Sequence, residues 1–187
     1  MIYEFLGKAP LFDETVFVAP SADIIGDVTI GKESSAWFNV TIRGDVNRIV
    51  IGNRTNIQDN ASVHVMNQDG PTYIGDEVTV GHNAMVHGCT IHNRVLIGIH
   101  ATVLDKAVIH EDVIVGAGSL IAPGKVLESG YLYLGSPAKA VRKLTDKERE
   151  SIRTYASNYV AYQRTYRRVD HYDENPFYDA SSPGTKF

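Results

Sequence analysis

The sequence predicts a mostly β protein: a solenoid of very short strands wound into triangular coils, with one long α-helix packed alongside. An aliphatic residue recurs every six positions through most of the chain, a small or β-branched residue follows it four places later, and glycine often follows it directly. Behind a capping signal near residue 145 the apolar spacing becomes helical.

The period runs through Val18, Ile24, Ile30, Ala36 (a weak member) and Ile42. It resumes after a short insertion at Ile51, Ile57 and Val63, and after a longer one over 66–73 at Ile74, Val80 and Val86. One unit is a residue short, and the rest start at Ile91, Ile97, Val103, Ile109, Val115 and Ile121. Neither an amphipathic helix nor an ordinary strand has a period of six. Each unit is therefore read as one flat side with its aliphatic turned inward. Residues such as Ala22, Thr55, Ala61, Ala84, Ala101 and Ala107, four places on, are expected to let the chain turn a corner. Three units close a coil, and coils stack at about 4.8 Å. The pattern resembles the hexapeptide-repeat, left-handed parallel β-helix family over 13–126, with roughly seventeen matching units.

Three segments follow: a β-helix domain over 1–140, a C-terminal helix within 141–169 and an extended tail over 170–187. Thr145 with Glu148 makes a capping box, and the helix is expected over about 145–168. Ile152, Tyr155, Tyr159 and Tyr166, with Tyr162 or Gln163 between them, are read as its apolar stripe. The tail is polar and turn-rich, with Phe177 and Tyr178 as candidate docking residues.

The 187 residues carry a net charge of −4, with 21% charged and 43% apolar residues, which is ordinary for a globular protein. No basic patch precedes the C-terminal helix, so no nucleic-acid partner is expected. Cys89 is the single cysteine and reads as a small buried packing residue. No basic segment and long apolar run open the chain, and no window approaches a membrane-spanning length, so no membrane partner and a cytoplasmic location are expected.

The repeat converts histidine spacing into position. Every third unit shares a side. The units at Ile24, Ile42, Val63, Val86, Val103 and Ile121 form side one, whose outward column reads Ile25, Arg43, His64, His87, Leu104 and Ala122. His64 and His87 are thus expected on adjacent coils, about 5 Å apart at the backbone, able to share one metal ion. Side two holds Ala36, Ile57, Val80, Ile97 and Val115, with Gln58 and Asp59 one coil below Gly81 and His82. His82 diverges from the pair on side one. It can join them only if a second subunit presents its own His82, and such a heterologous contact closes most simply as a trimer. On side three, His92 and His110 read as surface histidines, as does His171 in the tail; His100, on side two, has no evident partner.

Three stretches carry a second resemblance: Arg43-Gly44-Asp45, Gln-Asp-Asn-Ala-Ser-Val-His at 58–64, and His-Asn-Ala-Met-Val-His-Gly-Cys at 82–89. They resemble the γ-class carbonic anhydrases over the repeat region and the C-terminal helix. The resemblance implies a homotrimer with zinc at each subunit interface, held by His64 and His87 of one subunit and His82 of the next. Iron(II) or cobalt(II) would also suit imidazole ligands. The implied reaction is attack of hydroxide on CO2 to give bicarbonate. It also implies that Gln58 orients the reacting solvent, that Arg43, Asp45 and Asp59 form an interface group, and that Tyr159 reaches the site edge.

The chain departs from the family's pattern in two places. The insertion after His64 is short and holds one carboxylate, Asp69, where the best characterised member has a long acidic loop, and Val46 stands where that member has an acid after the Arg-Gly-Asp stretch. Slow proton export and weak activity are the expectation. Two other readings share the coil: a CoA-dependent acyltransferase, or a thioesterase variant of it, and a non-catalytic trimeric scaffold.

Overall fold

A computed structural model describes residues 1–177, and the coils lie where the period places them. On side one Ile24, Ile42, Val63, Val86, Val103 and Ile121 pair in parallel register from coil to coil. Side two stacks Val18, Ala36, Ile57, Val80, Ile97 and Val115. Side three stacks Ile30, Ile51, Ile74, Ile91, Ile109 and Leu127. Almost all of these side chains are buried, and together they are the core. Removing an aliphatic side chain of this size from water stabilises by about 1.5–3 kcal/mol. The same register brings His92 and His110 of side three into a parallel stack, with ring centroids 5.2 Å apart.

The corners differ from the sequence reading. The residue that turns the chain is the one three places after the aliphatic. Glu33, Asn39, Arg54, Asn60, Glu77, Asn83, Arg94, His100, Lys106 and Asp112 all hold left-handed backbone there. That conformation is unfavourable for a residue with a Cβ. It recurs because each corner N–H finds an acceptor in the coil below, a hydroxyl for Glu33 (Thr15) and Asn39 (Ser21) and a carbonyl for the others, as Arg54 does with Lys32, Glu77 with Asn53 and Arg94 with Asp76. The small residue one place later, such as Ala61, Ala84 or Ala101, does not turn the chain but lies buried under the corner, where little room is left. Glycine after the aliphatic on side three has its own cause. A Cβ on Gly52 would stand 2.3 Å from Asp76 Oδ1, which accepts a hydrogen bond from the backbone N–H of Asn53.

Strands Asp23–Ile30 and Thr41–Ile51 run straight through the corner between sides one and three, so those sides form one 12-stranded sheet. Side two is a separate 8-stranded sheet. Its last strand, Ala138–Lys143, turns back antiparallel on Tyr131–Gly135 and spans the expected 140/141 division.

The helix spans Asp146–Tyr166 and begins with the expected capping box. Arg142 and the Thr145 cap pull the Glu148 carboxyl down to about 2. The helix lies over side two, touching Phe17–Val18, Ser35–Ala36 and Thr79–Val80. Its buried face is Ile152, Ala156, Val160 and Gln163; of the expected stripe Ile152 and Gln163 are buried and Tyr159 and Tyr162 pack half-buried against the core, while Tyr155 and Tyr166 are not part of it. Tyr155 and Tyr166 are 48% and 57% exposed, because the small Ala156 and the branched Val160 allow close approach to the flat sheet. Beyond the helix, Phe177 packs edge-on against Tyr162 at 4.8 Å, while Tyr178 lies outside the described residues.

Ile97, fully buried in mid-stack, is the residue on which to test the column. Ile97→Ala should lower stability by about 2–5 kcal/mol, whereas His92→Ala on the surface should stay within about 0.5 kcal/mol. Urea midpoints at one fixed protein concentration check this; equal losses would contradict the assignment of sides.

Candidate metal centre

The side-one register sets His64 directly beside His87. Both rings are partly buried, and His64 Nδ1 lies 3.1 Å from His87 Nε2. The other nitrogen of each ring faces a carboxylate. His64 Nε2 is 2.9 Å from Asp45 Oδ1, and His87 Nδ1 is 2.5 Å from Asp105 Oδ1. Ionised carboxylates only accept hydrogen bonds, so each neutral ring carries its proton on that side. The two nitrogens that face each other then both present lone pairs. Two acceptors at that separation call for a cation between them. A tetrahedral ion bound at about 2.0–2.1 Å sets nitrogen–nitrogen edges of roughly 3.3–3.4 Å, close to the separation found.

His82 stands at the end of side two, and its Nδ1 lies 2.9 Å from Asp59 Oδ2, which leaves Nε2 as the outward nitrogen. All three histidines are thus backed by an aspartate in the manner of metal-ligating imidazoles. Among the described residues, no three His, Cys, Asp or Glu side chains of one chain converge as an ion-binding cluster. The structure brings His64 and His87 together and places His82 in the turn that follows the side-two strand Thr79–Val80.

Arg43 bonds to Asp45 within the same chain, through Nη1 and Oδ2. Burial pushes the Asp45 carboxyl up, but the hydrogen bonds from His64 and Arg43 outweigh it and hold the group below its ordinary value. Asp59 does not join that pair; its partner is His82. Gln58 is buried at 6% exposure beneath the helix, and its Nε2 donates to Asn56 Oδ1 at 3.1 Å. Asn56 in turn donates to Thr79 Oγ1 at 2.9 Å. This chain fixes the Gln58 amide and leaves its Oε1 as the atom available to accept a hydrogen bond. Tyr159 packs edge-on against Trp37 at 5.2 Å and lines a cavity together with Asp59. Burial, with the charge of Asp59 adding to it, pushes its phenol up to about 12.

Two residues of the site escaped the sequence reading. Asn56 sits two places before Gln58, as the next amide toward the neighbouring coil. Asp105 reaches His87 because the unit between Val86 and Ile91 is a residue short. At its tightened corner Gly88 takes φ +54°, and a Cβ there would stand 2.5 Å from Asp105 Oδ1. The short unit followed by glycine was the available signal.

The insertion over 66–73 folds back through paired backbone at Met66 and Gly70. Asn47 Nδ2 donates to the carbonyls of Met66 and Gln68, and Lys106 Nζ donates to Asp69 at 2.8 Å. Lys106 holds the Asp69 carboxyl below its usual value, so this carboxylate is tied rather than free to take up protons. Cys89 is buried with its thiol pushed up to about 12 by that burial, so it is a packing residue.

A family model described as "Bacterial transferase hexapeptide (six repeats)" matches residues 88–123. The mitochondrial gamma carbonic anhydrase 2 of Arabidopsis thaliana is 51% identical over 158 residues, which cover 82% of this chain. The chain spans 57% of the length of that protein. A carbonic anhydrase of Geobacillus kaustophilus is 44% identical over 187 residues, covering 90% of this chain and 92% of the relative. Among solved structures, a hexapeptide transferase family protein from Anaplasma phagocytophilum superposes with a TM-score of 0.86 at 43% identity, covering 89% and 98% of the two chains.

The Tyr159 environment is open to direct titration. An unfolded tyrosine ionises near pH 10, whereas the native Tyr159 keeps its proton to about 12. Between those values the unfolded chain binds fewer protons, so stability falls as pH rises through the window. Tyr159→Phe should flatten that fall and remove one late phenol from an ultraviolet titration. An unchanged titration curve would place the phenol in solvent.

Proposed function

The chain belongs to the γ-class carbonic anhydrase family, and from that membership we propose that it is a metal-dependent carbonate dehydratase, a homotrimer interconverting CO2 and bicarbonate. The observation that carries the reading is the His64–His87 pair, whose facing lone pairs at 3.1 Å need a cation. His82 of a neighbouring subunit would complete the set, since among the described residues His64, His82 and His87 of one chain form no three-ligand cluster. Zinc held by three neutral imidazoles supplies Lewis acidity that makes hydroxide available near neutral pH for attack on CO2; iron(II) or cobalt(II) would serve the same ligands.

The remaining chemistry belongs to side chains. Asp45, Asp59 and Asp105 fix the tautomer and tilt of His64, His82 and His87. Gln58 Oε1, aimed by Asn56 and Thr79, would accept a hydrogen bond from the reacting solvent and so orient its lone pair. Tyr159 stays a neutral hydrogen-bond donor at the site edge across the physiological range. Arg43, fixed by Asp45 at the subunit boundary, offers its remaining N–H groups to a carboxylate of the neighbour. Proton export is the slow step. Asp69 is neutralised by Lys106, and the exposed Val46 has no carboxylate. A CoA-dependent acyltransferase or thioesterase rests on the shared coil alone, and a non-catalytic scaffold would hold metal without turnover. The chain covers 92% of the Geobacillus kaustophilus relative and 57% of the Arabidopsis thaliana one, and a cytoplasmic site of action is part of the same proposal.

Stopped-flow CO2 hydration on metal-analysed protein, with iron kept reduced, tests the reaction. The rate at saturating CO2 should rise with the concentration of external buffer, because the chain's own proton exit is poor. Metal-loaded protein that leaves CO2 untouched at every buffer concentration, yet binds acetyl-CoA, would replace this reading with the acyl-transfer one.

Complementation tests the shared site. His82→Ala and His87→Ala damage opposite halves, so each homotrimer alone should lack tight metal. In a mixed ring of three, one boundary joins two intact halves, so co-refolding the two should restore roughly one tight metal site per mixed trimer. His64→Ala with His87→Ala, damaged in the same half, should restore none. Recovery of metal by both mixtures, or by neither, would remove the interface arrangement.

A further inference from the structure

We propose that the chain has a second binding site, an aromatic cavity under the end of the helix, that takes an organic ammonium ion. The cavity holds about 650 Å³, within the size range of small-molecule sites. Its walls come from three parts of the chain. Trp37 and Phe38 rise from side two, Tyr159 and Tyr162 descend from the helix, and Tyr172 and Phe177 close over from the segment that follows it. Adjacent rings meet steeply: 69° between Tyr159 and Tyr162, 80° between Tyr162 and Phe177, and 76° between Tyr172 and Phe177. Such angles build a box, where stacked rings would have filled the space.

The charges around the box have one sign. Asp59 lies at the floor, and Asp173 and Glu174 lie on the closing segment. No lysine, arginine or histidine lines the cavity among the described residues. Of the cations near the box, Arg164 makes a two-point bond to Asp170, which also holds the closing segment against the helix, and Arg167 donates to the backbone carbonyls of Glu14 and Thr15. A neutral apolar ligand would gain from the rings but leave the carboxylates without a counter-charge. A lysine-like ammonium can reach the carboxylates, but its strongly hydrated N–H donors lie poorly against ring faces. An alkylated ammonium meets both demands. Its charge is spread over methyl groups that lie against ring faces, it asks for no hydrogen bonds, and the three carboxylates balance it at longer range. The site is therefore matched to quaternary or heavily alkylated ammonium compounds with a short polar tail.

The proposal stands on the cavity and is independent of the metal. It adjoins the candidate metal centre through Asp59, which serves His82 on one side and the box on the other.

Calorimetric titration of the full-length protein with choline, set against its uncharged isostere in which carbon replaces nitrogen, tests it. Choline should bind, and the isostere should bind about tenfold more weakly, since the two differ in charge and hardly in shape. Tyr172→Leu and Glu174→Gln lie on the closing segment, away from the metal ligands. Each should weaken choline severalfold while metal content and CO2 hydration stay unchanged. Equal affinity for choline and its isostere would make the box a plain apolar pocket and overturn the proposal. So would an absence of choline binding at millimolar concentration, including one caused by a neighbouring subunit covering the box. Loss of CO2 hydration with choline binding intact would strike the carbonate dehydratase reading alone.

Discussion

In a parallel ladder each residue lies beside its counterpart one coil away, about 4.8 Å distant, and every other feature of this chain depends on that register. A slip of one residue would exchange the inward Val63 and Val86 for the outward His64 and His87, exposing the core and burying the site at once. The register is held by the aliphatic column inside and by the corner amides outside. Because both repeat every six residues, they reinforce each other at each level of the stack. The left-handed corner residues show the strength of that agreement. An unfavourable backbone conformation persists in arginine, glutamate and lysine because the ladder on both sides leaves it no alternative.

Chemistry gathers where the repeat is broken. Three successive coils depart from six residues at one corner, the turn from side one to side three. The chain takes nine residues from Ile42 to Ile51, eleven from Val63 to Ile74 and five from Val86 to Ile91. The long passage carries Arg43 and Asp45 to His64, the insertion lays the 66–73 segment over the pair, and the short passage draws Asp105 onto His87. A regular corner would bury a small residue there and leave the histidines without their carboxylates.

What the sequence made legible follows from periodicity. The sides, the inward column and the neighbourhood of His64 and His87 are consequences of counting, and the structure places them so. Periodicity carries no information on which residue bends the backbone, since Glu33, Arg54 and Lys106 share no side-chain property that marks a left-handed corner. It was equally silent on the helix face. Large tyrosines suggested the stripe, but a helix lying on a flat sheet buries its narrow face, and Ala156 with Val160 supplied it. Asp105 was invisible for a related reason. Its contact depends on a missing residue in the coil below, and a single deletion weighs little against seventeen or so regular units.

The helix also decides which surfaces remain open. By covering side two it helps bury Trp37, while Asp59 and His82 at the corner stay partly exposed. Side one carries no such cover, and its outward column of Arg43, His64 and His87 stays half-exposed. One face therefore carries His64 and His87, and the other carries His82 and, one coil on, His100. Two such different surfaces suit a head-to-tail ring, the arrangement that the proposed shared site needs. The helix that seals side two thus also supplies the asymmetry on which the proposed shared site rests, and the cavity beneath its end is the space left where that seal stops short of the coil.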